Sequence, residues 1–206
     1  MRIAFAAILA TSLLPSLALA DSPFTGKTGA LTFSVDRSRS TCTFLSDAPA
    51  EKIRGTAKGV SGEFIIADAA NPAGTTGKIS VPVASMETGN GMRDSHLRGP
   101  DWLNGGSFPI LTYVIQNASD IKVTGNDGKT VRAAGKANGS FGMNGKTKDI
   151  VAGVDLAYSA DKNLLKVTSK FTVSLKDFGV KGKAGTVGKT VGETIAVECT
   201  VYASGK

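Results

Sequence analysis

His96 is the single histidine of the chain, and Asp94 stands two residues before it. A carboxylate beside an imidazole could form an acid–base pair. Catalysis by such a pair also needs a nucleophile and an oxyanion site, and the neighbouring residues offer neither. One histidine cannot supply the histidine pair of a zinc site, and Cys42 and Cys199 lack metal-ligand spacing. Gly59-Val60-Ser61-Gly62-Glu63 approaches a nucleophile elbow but lacks its closing glycine. Gly185-Thr186-Val187-Gly188-Lys189-Thr190 has the ending of a phosphate loop. The first glycine of that pattern would fall at Lys183, and a strand pattern follows where a helix is required. This segment reads as a glycine-rich turn. The residues thus supply no catalytic set, no metal set and no cofactor motif, and a binding protein is expected in place of an enzyme.

The elements around these residues are strands. Leu31, Phe33 and Val35 share one face, and Cys42 and Phe44 follow after a break at Arg37-Ser38. Period-2 alternation resumes over Val60–Ile66, Ile79–Val83, Leu111–Ile115, Val131–Met143, Ile150–Tyr158, Leu165–Leu175 and Ile195–Val201. Turn signals at Asn71-Pro72, Asn126-Asp127-Gly128, Asn144-Gly145 and Asp161-Lys162-Asn163 separate them. One apolar and one polar face per strand argue for an antiparallel all-β sheet of about eight strands, as a sandwich or a closed up-and-down barrel. Only the stretch from Glu87 to Phe108 departs from alternation. There Met92 to Leu97 could form a short helix ended by Gly99-Pro100, on a rim or lid.

The cysteines bear on closure. Each lies on the apolar side of its strand, one near each end of the chain, so a disulfide would set the first and last strands side by side. Two buried free thiols are the other reading. The face Val131, Ala133, Gly135, Ala137, Gly139 is mostly small. Such residues leave space for a ligand or let backbones approach closely, so a hollow barrel and a flattened one both remain open.

At the N-terminus, Arg2 precedes an apolar run from Ile3 to Leu14, then Pro15 and Ala18-Leu19-Ala20. That order is a secretory leader. The run is shorter than the ~20 residues of a membrane span, which disfavours an anchor. Cleavage after Ala20 is expected, leaving residues 21–206 as one periplasmic or secreted domain in which a disulfide is permitted. Composition agrees with a globular chain: 41% hydrophobic and 20% charged. The net charge of +7 arises from scattered lysines, including Lys146, Lys166, Lys170, Lys183 and Lys189, without a dense run. This disfavours nucleic acid and reads as solvated surface, with transient attraction to an anionic membrane surface as the alternative.

Several segments together resemble a known family. They are Thr88-Gly89-Asn90, Arg93-Asp94-Ser95-His96-Leu97-Arg98, Pro100-Asp101-Trp102-Leu103 and Phe108-Pro109-Ile110-Leu111-Thr112-Tyr113. In this order they are similar to the core of the YceI-like family. Phe33-Ser34-Val35-Asp36, Val60-Ser61-Gly62-Glu63-Phe64, Asn144-Gly145-Lys146-Thr147-Lys148 and Lys176-Asp177-Phe178-Gly179 agree with it in order. The resemblance implies a lipocalin-like, extended eight-stranded antiparallel barrel with a short helical excursion around residues 90–103. It also implies binding of a polyisoprenoid or other long-chain lipid outside the cytoplasm. On that reading an apolar tail lies against Phe33, Phe44, Phe64, Tyr113, Ile115, Phe141, Met143, Phe171 and Val173. Arg93, Asp94, His96 and Trp102 form a rim near a headgroup, unless Arg93 and Asp94 only pin the helix. Arg39 stands where the family often has histidine, and with Asn104–Ser107 it is expected near an opening. The rival is a ligand-free, stress-related structural or interaction protein with a collapsed barrel. Oligomeric state is left open.

Overall fold

The protein is described here as a computed structural model covering residues 22–206; the expected leader lies outside the described residues. Ten strand segments appear: β1 (Leu31–Val35), β2 (Thr41–Asp47), β3 (Lys52–Ala57), β4 (Ser61–Ile66), β5 (Thr75–Pro82), β6 (Ile110–Asn126), β7 (Thr130–Met143), β8 (Lys146–Ser159), β9 (Leu164–Ser174) and β10 (Thr194–Gly205). Each hydrogen-bonded pair is antiparallel. The order β1-β4-β5-β6-β7-β8-β9-β10 closes on itself through β1–β10, an eight-stranded barrel.

The remaining two segments extend that wall. β2 also pairs with β10, above β1, and β3 pairs with β2. β1 and β2 are one long strand interrupted at Asp36–Ser40. The Asp36 carboxylate accepts from the Ser38 and Arg39 backbone N–H groups and from the Ser38 hydroxyl, which fixes the turn. β3 and β4 are broken in the same way at Lys58–Val60. β3 carries no apolar alternation legible in the sequence. Its inward positions are Ile53, Gly55 and Ala57, and two of these three are too small to read as an apolar stripe.

Alternation decides the inside. On β9 and β10, Leu165, Val173, Cys199, Val201 and Ala203 are buried, while Lys166 and Lys170 are exposed. Apolar in and polar out is the reverse of a membrane-spanning barrel, whose lipid face is apolar. The small face on β7 is resolved as close approach: an added Cβ at Gly139 would fall 2.2 Å from the Val114 carbonyl oxygen, and one at Gly135 would fall 2.3 Å from Ile121. β6 crosses β7 tightly there, with three register shifts along its length and a positive φ of 55° at Asp120.

The lower end is plugged. Phe24, Phe33 and Tyr158 pack as an aromatic triad with centroid separations of 5.2 to 6.0 Å. All three are buried. At the other end the excursion contains the expected helix, α1 (Gly91–Arg98). Asn90 caps it by accepting from the Arg93 N–H, and Gly99-Pro100 ends it.

Cys42 and Cys199 are directly opposed across β2–β10 and form a disulfide spanning 157 residues of sequence. The bridge ties the upper wall to the closing strand, and cross-linking so large a loop restricts the unfolded chain strongly. Replacing both cysteines by serine is expected to lower unfolding free energy by roughly 2–5 kcal/mol, measured by denaturant titration. An unchanged midpoint in the double variant would remove the disulfide from any role in stability.

Candidate functional site

A cavity of about 480 Å³ lies inside the barrel. That volume falls within the range of small-molecule sites, so the walls do not collapse on each other. Its lining is almost wholly apolar. Phe44, Phe64, Tyr113, Ile115, Phe141, Met143, Phe171 and Val173 all face it, as the alternation required. Cys42 and Cys199 contribute to the same wall. Phe33 does not line it. Phe24 and Tyr158 cover its ring, so Phe33 belongs to the plug beneath the cavity and not to its lining.

Part of the wall is held by aromatic contacts. Phe171 stacks on Tyr113 with ring centroids 6.0 Å apart and tilts against Phe141 at 5.5 Å, while Phe141 meets Phe178 edge-on at 5.6 Å. Such pairs contribute about 0.5–1.5 kcal/mol each beyond burial. The Tyr113 hydroxyl lies within donating distance of the Ala137 and Ile150 carbonyl oxygens, at 2.7 and 2.9 Å. The barrel's own backbone thus engages this polar group, and burial pushes its pKa up to about 12.

Polar groups gather at the mouth, where three segments meet. The first is the β2–β3 turn, with Glu51. The second is the stretch from Thr88 through α1 to Leu103. The third runs from Leu175 to Glu193 between β9 and β10. Arg93 forms an ion pair with Glu51, joining the first two segments. The Ala50 N–H donates to the Lys189 carbonyl at 3.1 Å, joining the first and third. The Gly182 N–H donates to the Asp101 carbonyl at 3.0 Å, and a Cβ at Gly182 would fall 2.7 Å from the Trp102 ring, so the second and third clasp closely.

Arg93, His96 and Trp102 line the cavity at this end, as expected of a rim. Asp94 does not. It is turned away and accepts from both the Thr88 N–H and the Thr88 hydroxyl, at 2.7 and 2.5 Å. That hydroxyl in turn accepts from Arg93 Nε at 2.9 Å. Asp94 therefore pins the approach to the helix, the second of the two readings its position allowed. Arg39 is also outside: its guanidinium sits 4.4 Å from the centre of the Tyr202 ring, on the outer face of β10.

The third mouth segment was missed. Leu175, Val180, Lys183, Thr186, Thr190 and Val191 all line the cavity, and Phe178 is buried against Phe141. Its length was the available signal, because hairpin connections usually need two to five residues. Among the described residues no group of three or more histidine, cysteine or acidic side chains is placed to hold a metal ion.

Hydrogen bonding from Thr88 holds the Asp94 carboxyl below its ordinary value of 3.8. A lowered folded-state pKa means stability that is present above about pH 4 and lost as pH falls through the folded value. Asp94→Asn should lower the melting temperature by several degrees at neutral pH and flatten the acid limb of the stability profile. Calorimetry from pH 7 to pH 3 tests this; an unaltered acid limb would mean that the Thr88 contacts carry no stability.

Comparison with known proteins agrees with this architecture. The YceI-like domain matches residues 33–203. Protein YceI of Escherichia coli is 28% identical over 148 residues, covering 70% of this chain and 72% of that protein. A UPF0312 protein of Azotobacter vinelandii matches with the same identity and coverage. Among solved structures, Burkholderia cenocepacia BcnA superposes with a TM-score of 0.68 at 19% identity, over 82% of this chain and 99% of that one. A polyisoprenoid binding domain from Saccharophagus degradans, implicated in plant cell wall breakdown, gives a TM-score of 0.66 at 14% identity, over 85% and 99%. The two structures share the barrel fold, and the family match spans nearly every strand: this chain belongs to the YceI-like family.

Proposed function

We propose that the protein is a non-catalytic extracytoplasmic carrier that holds an isoprenoid or other long-chain amphiphilic lipid inside its barrel. The observation that carries this reading is the distribution of polarity around the cavity. The walls are apolar, the lower end is closed by aromatic rings, and the polar and charged lining gathers mainly at the mouth. A molecule with one long apolar part and one polar end matches that distribution. Burying the tail is worth about 0.8 kcal/mol per CH₂ before the costs of association are counted. The polyisoprenoid binding domain of similar fold supports this choice of ligand class. The leader expected at residues 1–20 supports a periplasmic or secreted setting, where a carrier could move a lipid that water alone would not dissolve.

The test uses protein exported with its own leader and purified without detergent. Native mass spectrometry is expected to give a chain beginning at Asp21 together with one retained lipid, released and identified by organic extraction. Ser169→Trp places an indole in the cavity, because Ser169 is a small lining residue. The variant should fold, as judged by circular dichroism, and bind a fluorescent long-chain lipid at least tenfold more weakly. A bare mass together with no lipid uptake by the wild type would sink the carrier reading. It would favour the ligand-free structural or interaction protein.

A further inference from the structure

The cavity lining contains five acidic, basic or histidine side chains: Glu51, Arg93, His96, Lys136 and Lys183. Three of them have their charge answered by an ion-pair partner. Glu51 and Arg93 neutralise each other across the mouth. Lys136 is paired with Asp120 at 2.8 Å. Lys183 has no ion-pair partner among the described residues. It is therefore the one lysine or arginine lining the cavity without an ion-pair partner among the described residues.

Its backbone is fixed although its side chain is exposed. The Thr186 N–H donates to the Lys183 carbonyl at 3.1 Å, and the Lys189, Thr190 and Val191 N–H groups converge on the Thr186 carbonyl at 2.9 to 3.1 Å. The Ala50–Lys189 bond ties this turn to the β2–β3 turn, and Gly182 is held under Trp102. The stem of Lys183 thus starts from a rigid edge of the mouth, with Thr186 and Thr190 lining the cavity beside it. Low-dielectric walls strengthen the field of an unpaired charge at such an edge. A lysine ammonium meets carboxylate or phosphate oxygens as a point charge with three donors.

We infer that Lys183 reads the headgroup, and that the barrel selects lipids with an anionic head, carboxylate or phosphate, over neutral ones of equal tail. This rests on the carrier reading above and narrows its ligand class. The residue that breaks the phosphate-loop pattern, Lys183 in place of its first glycine, is then the specificity element, and the glycine-rich turn after it holds its backbone in place.

The experiment compares pyrene-dodecanoic acid with the matching pyrene-dodecanol at pH 7.5 and low salt, read by fluorescence. Wild type is expected to bind the acid at least fivefold tighter than the alcohol. Lys183→Gln should bring the acid to the level of the alcohol and leave the alcohol unchanged. Lys183→Arg should keep the preference, and so should Lys189→Gln, a lysine of the same turn that does not line the cavity. Equal binding of acid and alcohol by wild type, or a preference that survives in Lys183→Gln, overturns the assignment of Lys183 while the carrier reading stands. Displacement of the acid by millimolar inorganic phosphate would mark a free-anion site and overturn it too. Binding of neither probe overturns both readings.

Discussion

Everything in this barrel depends on β10. It pairs with β9 along one edge, and along the other it carries β1 at its lower half and β2 at its upper half. No other strand joins the end of the sheet to its beginning. Closure joins the two ends of the eight-stranded sheet and turns an amphipathic sheet into a container, because each inward apolar residue then faces another across the interior. The Cys42–Cys199 bridge lies at the upper of these two junctions. There the wall is least supported: β3 has β2 on one side and on the other a single bridge, Thr56 with Glu87. Glu51–Arg93 adds one more tie from that corner to α1. A partly exposed ion pair of this kind is worth little alone, so the covalent link carries most of the restraint.

A closed barrel of this size need not be hollow. Three features hold the interior open: the aromatic groups brace one another along parts of the wall, the Tyr113 hydroxyl is held by the barrel's own backbone, and the lower end is filled by Phe24. What remains is an apolar space whose polar lining is drawn mainly from Glu51, α1 and the 175–193 segment. An amphiphile bound there would have one favourable orientation, because a polar head sent downward would be buried without partners.

Some expectations were too local to succeed. Phe33 alternates correctly and faces inward, but the strand register cannot say that the N-terminal segment folds underneath and covers it. Asp94 lies in the most specific part of the family resemblance, yet its carboxylate serves Thr88. The decision was made by the turn of the helix, which no spacing rule reveals. Arg39 sits on a turn between two strands, and its direction depended on where Tyr202 of the last strand would fall. Within the segment 175–193, Gly185–Thr190 reads as a glycine-rich turn, because lysine, threonine and glycine carry no periodic signal. The segment's buried residues, Phe178 and Val180, gain their meaning only from what they touch.

The residues alone determined the class and the sidedness of the sheet. Period 2 is a property of the extended backbone, so alternation in the chain fixes which side chains share a face, wherever the strands go. It was enough to place Phe44, Phe64, Tyr113, Phe141 and Phe171 in one interior and to set Cys42 and Cys199 on the same side. Whether that interior was open or flattened, and which polar groups stood at its mouth, only the tertiary structure decided. Those outcomes depend on crossings between residues far apart in sequence: β6 over Gly135 and Gly139, Trp102 over Gly182, Glu51 with Arg93. No local pattern encodes a distance between such partners, because closure sets it.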